Sequence, residues 1–169
     1  MLHVITAPVR YSDADHLIAS NTASRRHHAP WVTPFTDRQG FEAWYGRILT
    51  GPNLGFVARE TSSEAIVGVI TLTEIVWGAF RSAYLGYYGM IDWCGRGLMT
   101  AAVAKVVKHA FDDLGLHRLE ANVQPGNEKS IALICRLAFR KEGLSPGYLK
   151  IDGVWCTHER WARLALEPA

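Results

Sequence analysis

The sequence predicts a mixed α/β fold, with a central, mostly antiparallel mixed sheet and helices on both of its faces. Three observations carry that reading. A strand-like opening is followed by two helical stretches. Three strand-like segments then run in hairpin order between residues 54 and 91. The rest of the chain alternates helix and strand and ends in a strand pair. The 169 residues suit one domain with one sizeable core, and no repeat or linker-like stretch divides residues 1–169.

Taken in order, Leu2 to Arg10 reads as a strand, with Pro8 marking its end or a sheet edge. Ser12-Asp13-Ala14-Asp15 has the spacing of a capping box and opens a short helix through Leu17 and Ile18. Residues 24–36 read as irregular. Asp37 precedes a helix whose Phe41, Trp44, Tyr45 and Ile48 share one face. Gly51-Pro52-Asn53 stops it. Leu54–Arg59, Ala65–Val76 and Ser82–Ile91 form an antiparallel meander, turning once at Trp77–Arg81. From Leu98, apolar residues at Ala101, Ala102, Val106, Ala110 and Phe111 mark a helix packed on a sheet, stopped at Gly115. His117–Gln124 alternates, with Leu119, Ala121 and Val123 on one face and Glu120, Asn122 and Gln124 on the other. After Pro125-Gly126 come a helix from Asn127 to about Leu137, a strand near Phe139 and a last strand pair around Asp152-Gly153.

Composition excludes several classes of function. Apolar residues make up 49% and charged residues 20%, which rules out a disordered chain. A net charge of +2 without a basic arm argues against nucleic acid as partner. Cys94, Cys135 and Cys156 are odd in number and unrelated in spacing. They form neither a disulfide framework nor a metal motif, and reduced thiols in a cytoplasmic protein fit best. No apolar run approaches the roughly 20 residues of a membrane span, and the first residues lack the pattern of a signal peptide. No spacing supports a metal, and none sets an oligomeric state.

The segment with chemistry in it is Asp92-Trp93-Cys94-Gly95-Arg96-Gly97, which joins a strand to a long helix. Two glycines let the backbone turn with its amides inward. The helix start adds unpaired N–H groups and partial positive charge. Together these suit a pyrophosphate without requiring a side chain, and Arg96 adds a charge. The segment is neither a Walker loop nor a Rossmann fingerprint.

Several blocks around this loop resemble the GNAT acetyltransferases, and among them the RimJ-like ribosomal-protein-alanine N-acetyltransferases. They are Gly68-Val69-Ile70-Thr71, Tyr84-Leu85-Gly86-Tyr87, Trp93 to Met99, His117 to Asn122, Asn127-Glu128-Lys129-Ser130, Phe139 to Gly143 and Tyr148 to Trp155. Ala29-Pro30-Trp31 resembles a Pro-Trp near the family's substrate pocket. The resemblance implies a GNAT-type sheet and acetyl-CoA as the cofactor. Backbone groups near Met90 and Ile91 would pair with the pantetheine arm. The amides of Gly95, Arg96, Gly97, Leu98, Met99 and Thr100 would hold pyrophosphate, and Asn127 would touch the pantetheine side. The chain departs from the family at Cys94, at Thr157 before His158, and at Ala138, where the family has a glycine. Because alanine resists positive φ, the helix before it is expected to end differently. Cys94, beside a helix start, is expected to have a depressed pKa and to be open to disulfide formation with CoA.

Acetyl transfer to an amine needs a route for the amine's proton and help for the departing sulfur. At pH 7 an α-amine costs roughly 1.4 kcal/mol to deprotonate and a lysine about 4.6, so a protein N-terminus needs only a weak base. Glu120 and Asn122 are the candidates on the polar strand face, and Glu120 is alternatively an ion-pair partner of His117 or Arg118. The family's usual acidic tyrosine is replaced by Ile134. The resemblance therefore points to Ser130 as the proton donor, beside Asn127. Trp31, Tyr148 and one of Tyr87 and Tyr88, which lie on opposite strand faces, are candidate pocket walls. The acceptor is expected to be a protein N-terminal α-amine. A small-molecule amine (antibiotic, polyamine or amino acid) and a non-catalytic acyl-CoA-binding module are the alternatives.

Overall fold

A computed structural model describes residues 3–165. One seven-stranded sheet runs in the order β1-β2-β3-β4-β5-β7-β6. The strands are β1 Val4–Pro8, β2 Leu54–Glu60, β3 Ile66–Val76, β4 Ser82–Gly89, β5 Arg118–Val123, β6 Arg140–Ile151 and β7 Val154–Leu164. Four α-helices, α1 Ala14–His28, α2 Arg38–Thr50, α3 Leu98–Asp112 and α4 Glu128–Arg136, complete it in the expected chain order. Every neighbouring pair is antiparallel except β4 and β5. Among the described residues no helix is long and apolar enough to cross a membrane.

The sheet is covered on both faces because its strands carry apolar side chains both ways. On one face, Ala102, Val103, Val106 and Ala110 of α3 and Leu133 and Ile134 of α4 bury against Leu72, Leu85, Leu119 and Ala121. On the other, Leu17 of α1 and Phe41 of α2 bury against Val57, Val69 and Met90. Asp37 caps α2 by accepting the Gly40 N–H at 2.7 Å, as its position predicts.

Leu2, where the sequence reading starts the first strand, lies outside the described residues. Two expectations need correction. The helix expected to be short instead runs to His28, so residues 24–28 are helical and not irregular. Its inward face changes from Leu17 to Asn21, Ser24 and His28, all buried, and that polar stripe hides the helix from a search for apolar periodicity. Each of these side chains makes a hydrogen bond. The Asn21 amide donates to the Phe35 carbonyl at 2.9 Å, the Ser24 hydroxyl accepts the Ile91 N–H at 3.1 Å, and the His28 ring bonds the Gly89 carbonyl at 2.9 Å.

The second correction is at Ala138. The helix α4 ends as if a glycine stood there. Ala138 has φ +60°. Its N–H donates to the Cys135 carbonyl and that of Phe139 to the Ile134 carbonyl, the crossed pair of a Schellman cap. Phe139, buried to 3% exposure, pins the turn. The left-handed backbone costs an alanine roughly 1–2 kcal/mol. Ala138→Gly is therefore expected to raise stability by about 1 kcal/mol in a denaturant melt. A neutral or destabilising result would show that the turn is unstrained.

Candidate active site

The one parallel pairing in the sheet is also its shortest junction. β4 and β5 pair through Ser82–Arg118, Ala83–Leu119 and Tyr84–Glu120 and no further, although β4 continues to Gly89 and β5 to Val123. Beyond Tyr84 the strands fork. The Met90 N–H is spent on the Val67 carbonyl at 2.8 Å. By the two-residue alternation of an antiparallel ladder, the backbone groups of Leu85, Tyr87 and Gly89 then face the open edge of β4. The expectation named Met90 and Ile91 for this edge. The Ile91 N–H is also spent, on Ser24, and the His28 ring already occupies the Gly89 carbonyl. The groups left for an added strand centre on Tyr87.

From the end of β4 the chain makes a 3₁₀ turn, Ile91–Trp93, and enters the glycine loop. Gly95 and Gly97 have φ +75° and +74°, with Arg96 between them at negative φ. No side chain would clash with a Cβ at Gly95, so its glycine answers to backbone angle alone. None of the N–H groups of Gly95, Arg96, Gly97, Leu98, Met99 and Thr100 has an acceptor among the described residues, while the Gly97 carbonyl accepts the Ala101 N–H. Alternating left-handed backbone followed by a helix start is an anion-binding nest, and the α3 dipole reinforces it. These residues fit a pyrophosphate. The Arg96 guanidinium rests 4.9 Å over the Trp93 ring centroid. The Leu98 side chain is buried in the core, which leaves its amide as the available group.

The side chain of Met99 fixes the height of this loop. It seats on Gly68 and Gly89, cross-strand partners of β3 and β4. A Cβ on Gly68 would collide with the Met99 sulfur and stand 2.5 Å from the Tyr88 carbonyl oxygen, and one on Gly89 would stand 2.9 Å from Met99 Cγ. The glycine pair thus brings the start of α3 against the sheet.

On the polar face of β5, Glu120 is in an ion pair with Arg118 at 2.8 Å, the alternative left open by the sequence, and Arg118 also holds Glu142. The Asn122 carboxamide makes no hydrogen bond among the described residues, and its Oδ1 is buried. Tyr148 lies beside Tyr84, and its hydroxyl, with burial and the Glu120 carboxylate, pushes the Tyr84 phenol up to about 12. Trp31 packs over the turn after β5, where a Cβ on Gly126 would lie 3.3 Å from its ring. Gln124 donates to the Trp31 carbonyl at 3.4 Å.

A cleft of about 500 Å³ opens between α2 and β3–β4, lined by Val32, Phe35, Trp44, Arg47, Thr71 and Tyr88 among others. Arg47 is the one charged side chain among its described lining residues, and no carboxylate joins it. Tyr87 contributes to this lining; Trp31 and Tyr148 do not. Trp31 instead anchors the segment whose next residues, Val32 to Phe35, form the wall.

Across the fork, Asn127 caps α4 by accepting the Ser130 N–H at 3.2 Å. The Ser130 hydroxyl lies 2.7 Å from that of Tyr87. Ile134 is fully buried core. Burial pushes the Tyr87 phenol up to about 12, with the Ser130 hydrogen bond opposing. Cys94 departs from expectation. It sits outside the helix start in extended backbone, with its sulfur 3.2 Å from the His27 ring and 3.4 Å from the Met90 carbonyl. Partial burial raises its pKa, Lys129 opposing and Asp92 adding. A thiol held protonated is a poor partner for disulfide exchange.

Comparison with known proteins agrees with this geometry. Residues 3–140 match the model of the acetyltransferase (GNAT) domain family. The [ribosomal protein uS5]-alanine N-acetyltransferase of Escherichia coli is 34% identical over 151 residues, covering 83% of this chain and 77% of that one. The probable N-acetyltransferase YjcK of Bacillus subtilis is 40% identical over 98 residues, and there the match spans 58% of this chain and about half, 54%, of the relative. The structure of Mycobacterium smegmatis RimJ in complex with CoA-disulfide superposes with a TM-score of 0.86 at 32% identity, covering 98% of this chain and 85% of that one. A Vibrio cholerae spermidine N-acetyltransferase with CoA and spermine superposes at 0.81 over 96% and 95% of the two chains. At 19% identity, that is a likeness of fold.

The supports of β4 that the sequence reading missed are Asn21, Ser24 and His28, and their spacing of three and four residues was the available signal. They carry a pH dependence. Burial holds the His28 imidazole below its ordinary value, the Gly89 carbonyl opposing and His27 adding, and its Nδ1 is buried without a partner. The unfolded chain therefore takes up this proton first as pH falls through about 6.5. Stability from His28 is present above that pH and is lost below it. The melting temperature is expected to drop between pH 7.5 and 5.5, and to drop less in His28→Gln, which keeps a donor for Gly89. Equal drops would remove His28 from the account.

Proposed function

Because the chain belongs to the GNAT acetyltransferase family, whose donor is acetyl-CoA, we propose that it acetylates the α-amine of a protein N-terminus, of the ribosomal-protein kind, as one cytoplasmic domain. The observation that carries the choice of acceptor is the cleft lining. A polyamine needs carboxylates to replace the water around its charges, and the cleft offers neutral walls and one cation, Arg47. An open, neutral groove suits a short peptide end. The 34% identity to an enzyme named for ribosomal protein uS5 alanine points the same way.

The residues divide the work as follows. The amides of Gly95 to Thr100 hold the donor's pyrophosphate, and the open edge of β4 around Tyr87 aligns its arm. When bound, the donor supplies an acetyl group on a thioester. Asn122, whose buried carbonyl has no partner, accepts a hydrogen bond from the incoming amine and aims its lone pair. Glu120 lies two residues back on the same strand face, roughly 7 Å away, and takes the amine's proton through water. A carboxylate is a weak base, sufficient for an α-amine but not for a lysine. Ser130 donates to the sulfur as it leaves. Its place in the first turn of α4 favours negative charge there.

Two measurements test this. In a CoA-release assay across N-terminal peptides and small amines, peptides with a small first residue are expected to exceed spermidine at least tenfold in kcat/KM. Parity or a reversed order would overturn the peptide reading, and tight CoA binding without turnover on any amine would leave only a binding module. Separately, Ser130→Ala is expected to lower kcat by about 10–100-fold while acetyl-CoA affinity stays within twofold. An unchanged kcat removes Ser130 from the chemistry.

A further inference from the structure

Tyr87 and Ser130 stand 43 residues apart in sequence, yet their hydroxyls meet at 2.7 Å. One is on β4 at the open edge; the other is in the first turn of α4, just after β5. Their contact spans the fork at the end assigned above to the departing sulfur. The Tyr87 hydroxyl also lies 3.3 Å from the Ser130 carbonyl oxygen. Two arrangements of the two hydroxyl hydrogens satisfy these distances. In one, Ser130 donates to Tyr87 and Tyr87 to the Ser130 carbonyl, and both hydrogens are consumed inside the pair. In the other, Tyr87 donates to Ser130 Oγ, and the serine hydrogen is left for a ligand.

We propose that Tyr87 is the positioning residue for Ser130, donating to its oxygen so that the serine hydroxyl points its own hydrogen at the leaving sulfur. This rests on the reading of Ser130 as the sulfur's donor. A serine in a helix ordinarily turns its hydroxyl back onto a carbonyl one turn earlier. The Tyr87 hydroxyl gives Ser130 Oγ a different partner, and a chain of two hydroxyls polarises the terminal O–H. As the amine nitrogen bonds the acetyl carbon, the C–S bond breaks and its electron pair goes to sulfur. The amine's proton passes through water to Glu120, and the thiolate, stabilised by the serine hydrogen bond as it forms, takes its proton from solvent. The hydroxyl pair emerges unchanged, because a phenol pushed up to about 12 stays protonated near neutrality. The pair therefore stabilises the developing charge by donation and does not titrate.

Tyr87→Phe removes one oxygen and keeps the ring that packs against the core. It is expected to lower kcat about tenfold, with KM for acetyl-CoA within twofold and the shape of the kcat–pH profile between pH 6 and 9 unchanged. The double variant Tyr87→Phe/Ser130→Ala is expected to fall no further than Ser130→Ala alone, since the tyrosine acts through the serine. A merely structural tether would move the melting temperature and KM together, and that result overturns the proposal. Full activity in Tyr87→Phe beside an impaired Ser130→Ala overturns the role of Tyr87 alone. A wild-type rate in Ser130→Ala overturns the reading of Ser130 as donor, and this proposal with it. Additive losses in the double variant also overturn it.

Discussion

The parallel junction of β4 and β5 stops after three residue pairs, and the rest of the site answers to that stop. Backbone N–H and C=O groups on a buried edge must find partners, and here the sheet withholds them from Tyr84 onward. Some are met from within the protein. His28 takes the Gly89 carbonyl and Ser24 the Ile91 N–H, so α1 closes the far end of β4. What lies between stays open, a slot whose edge is already in strand conformation. A linear amide-bearing ligand is the chemistry that completes such a slot, by adding a strand.

The same junction explains why the glycine loop sits where it does. A chain leaving β4 at its forked end can enter a helix only by turning back over the sheet, and the turn is made with left-handed backbone at Gly95 and Gly97. The helix then has to lie close. Gly68 and Gly89 supply the missing volume, and Met99 fills it. Four glycines thus do two different jobs. Two allow a backbone angle and two allow an approach, and both are needed to bring six unpartnered amides to the mouth of the fork. Met99 is accommodated by the strands beneath it and leaves the nest intact.

Much of this was legible in the sequence where the determining chemistry is local. Hydrophobic period, glycine punctuation and caps at Asp37 and Asn127 gave the order of elements and the loop. The parts that were not legible depend on contacts between distant segments. The length of α1 was hidden because its inward face is polar, and polar residues there make sense only once β4 lies beneath them. Which backbone groups face the fork depends on the pairing of β3 with β4, which neither segment displays alone. Ala138 holds a glycine's angle because Phe139 is pinned in a core that the local sequence does not display. The thiol of Cys94 was expected to feel a helix start, but it sits outside that start, and partial burial raises its pKa. The meeting of Tyr87 with Ser130 leaves no trace in either segment alone.

The electrostatics of the two sides of the fork bear on the choice of acceptor. On the acceptor side the cleft carries a cation and the polar strand face carries a carboxylate already committed to Arg118. A lysine, or a polyamine with several charges, arrives protonated and must be both desolvated and deprotonated, and each demand falls on a group the site lacks. An α-amine spends a larger fraction of its time neutral and asks for about 3 kcal/mol less. On the sulfur side the balance is reversed. The start of α4 and two hydroxyls face the fork, an environment that tolerates negative charge and supplies hydrogens without ionising. A site that gives little help to the nucleophile and more to the leaving group is matched to an amine that is already nucleophilic. On the proposed reading, acceptor choice is therefore set by the proton inventory of the fork as well as by the shape of the cleft.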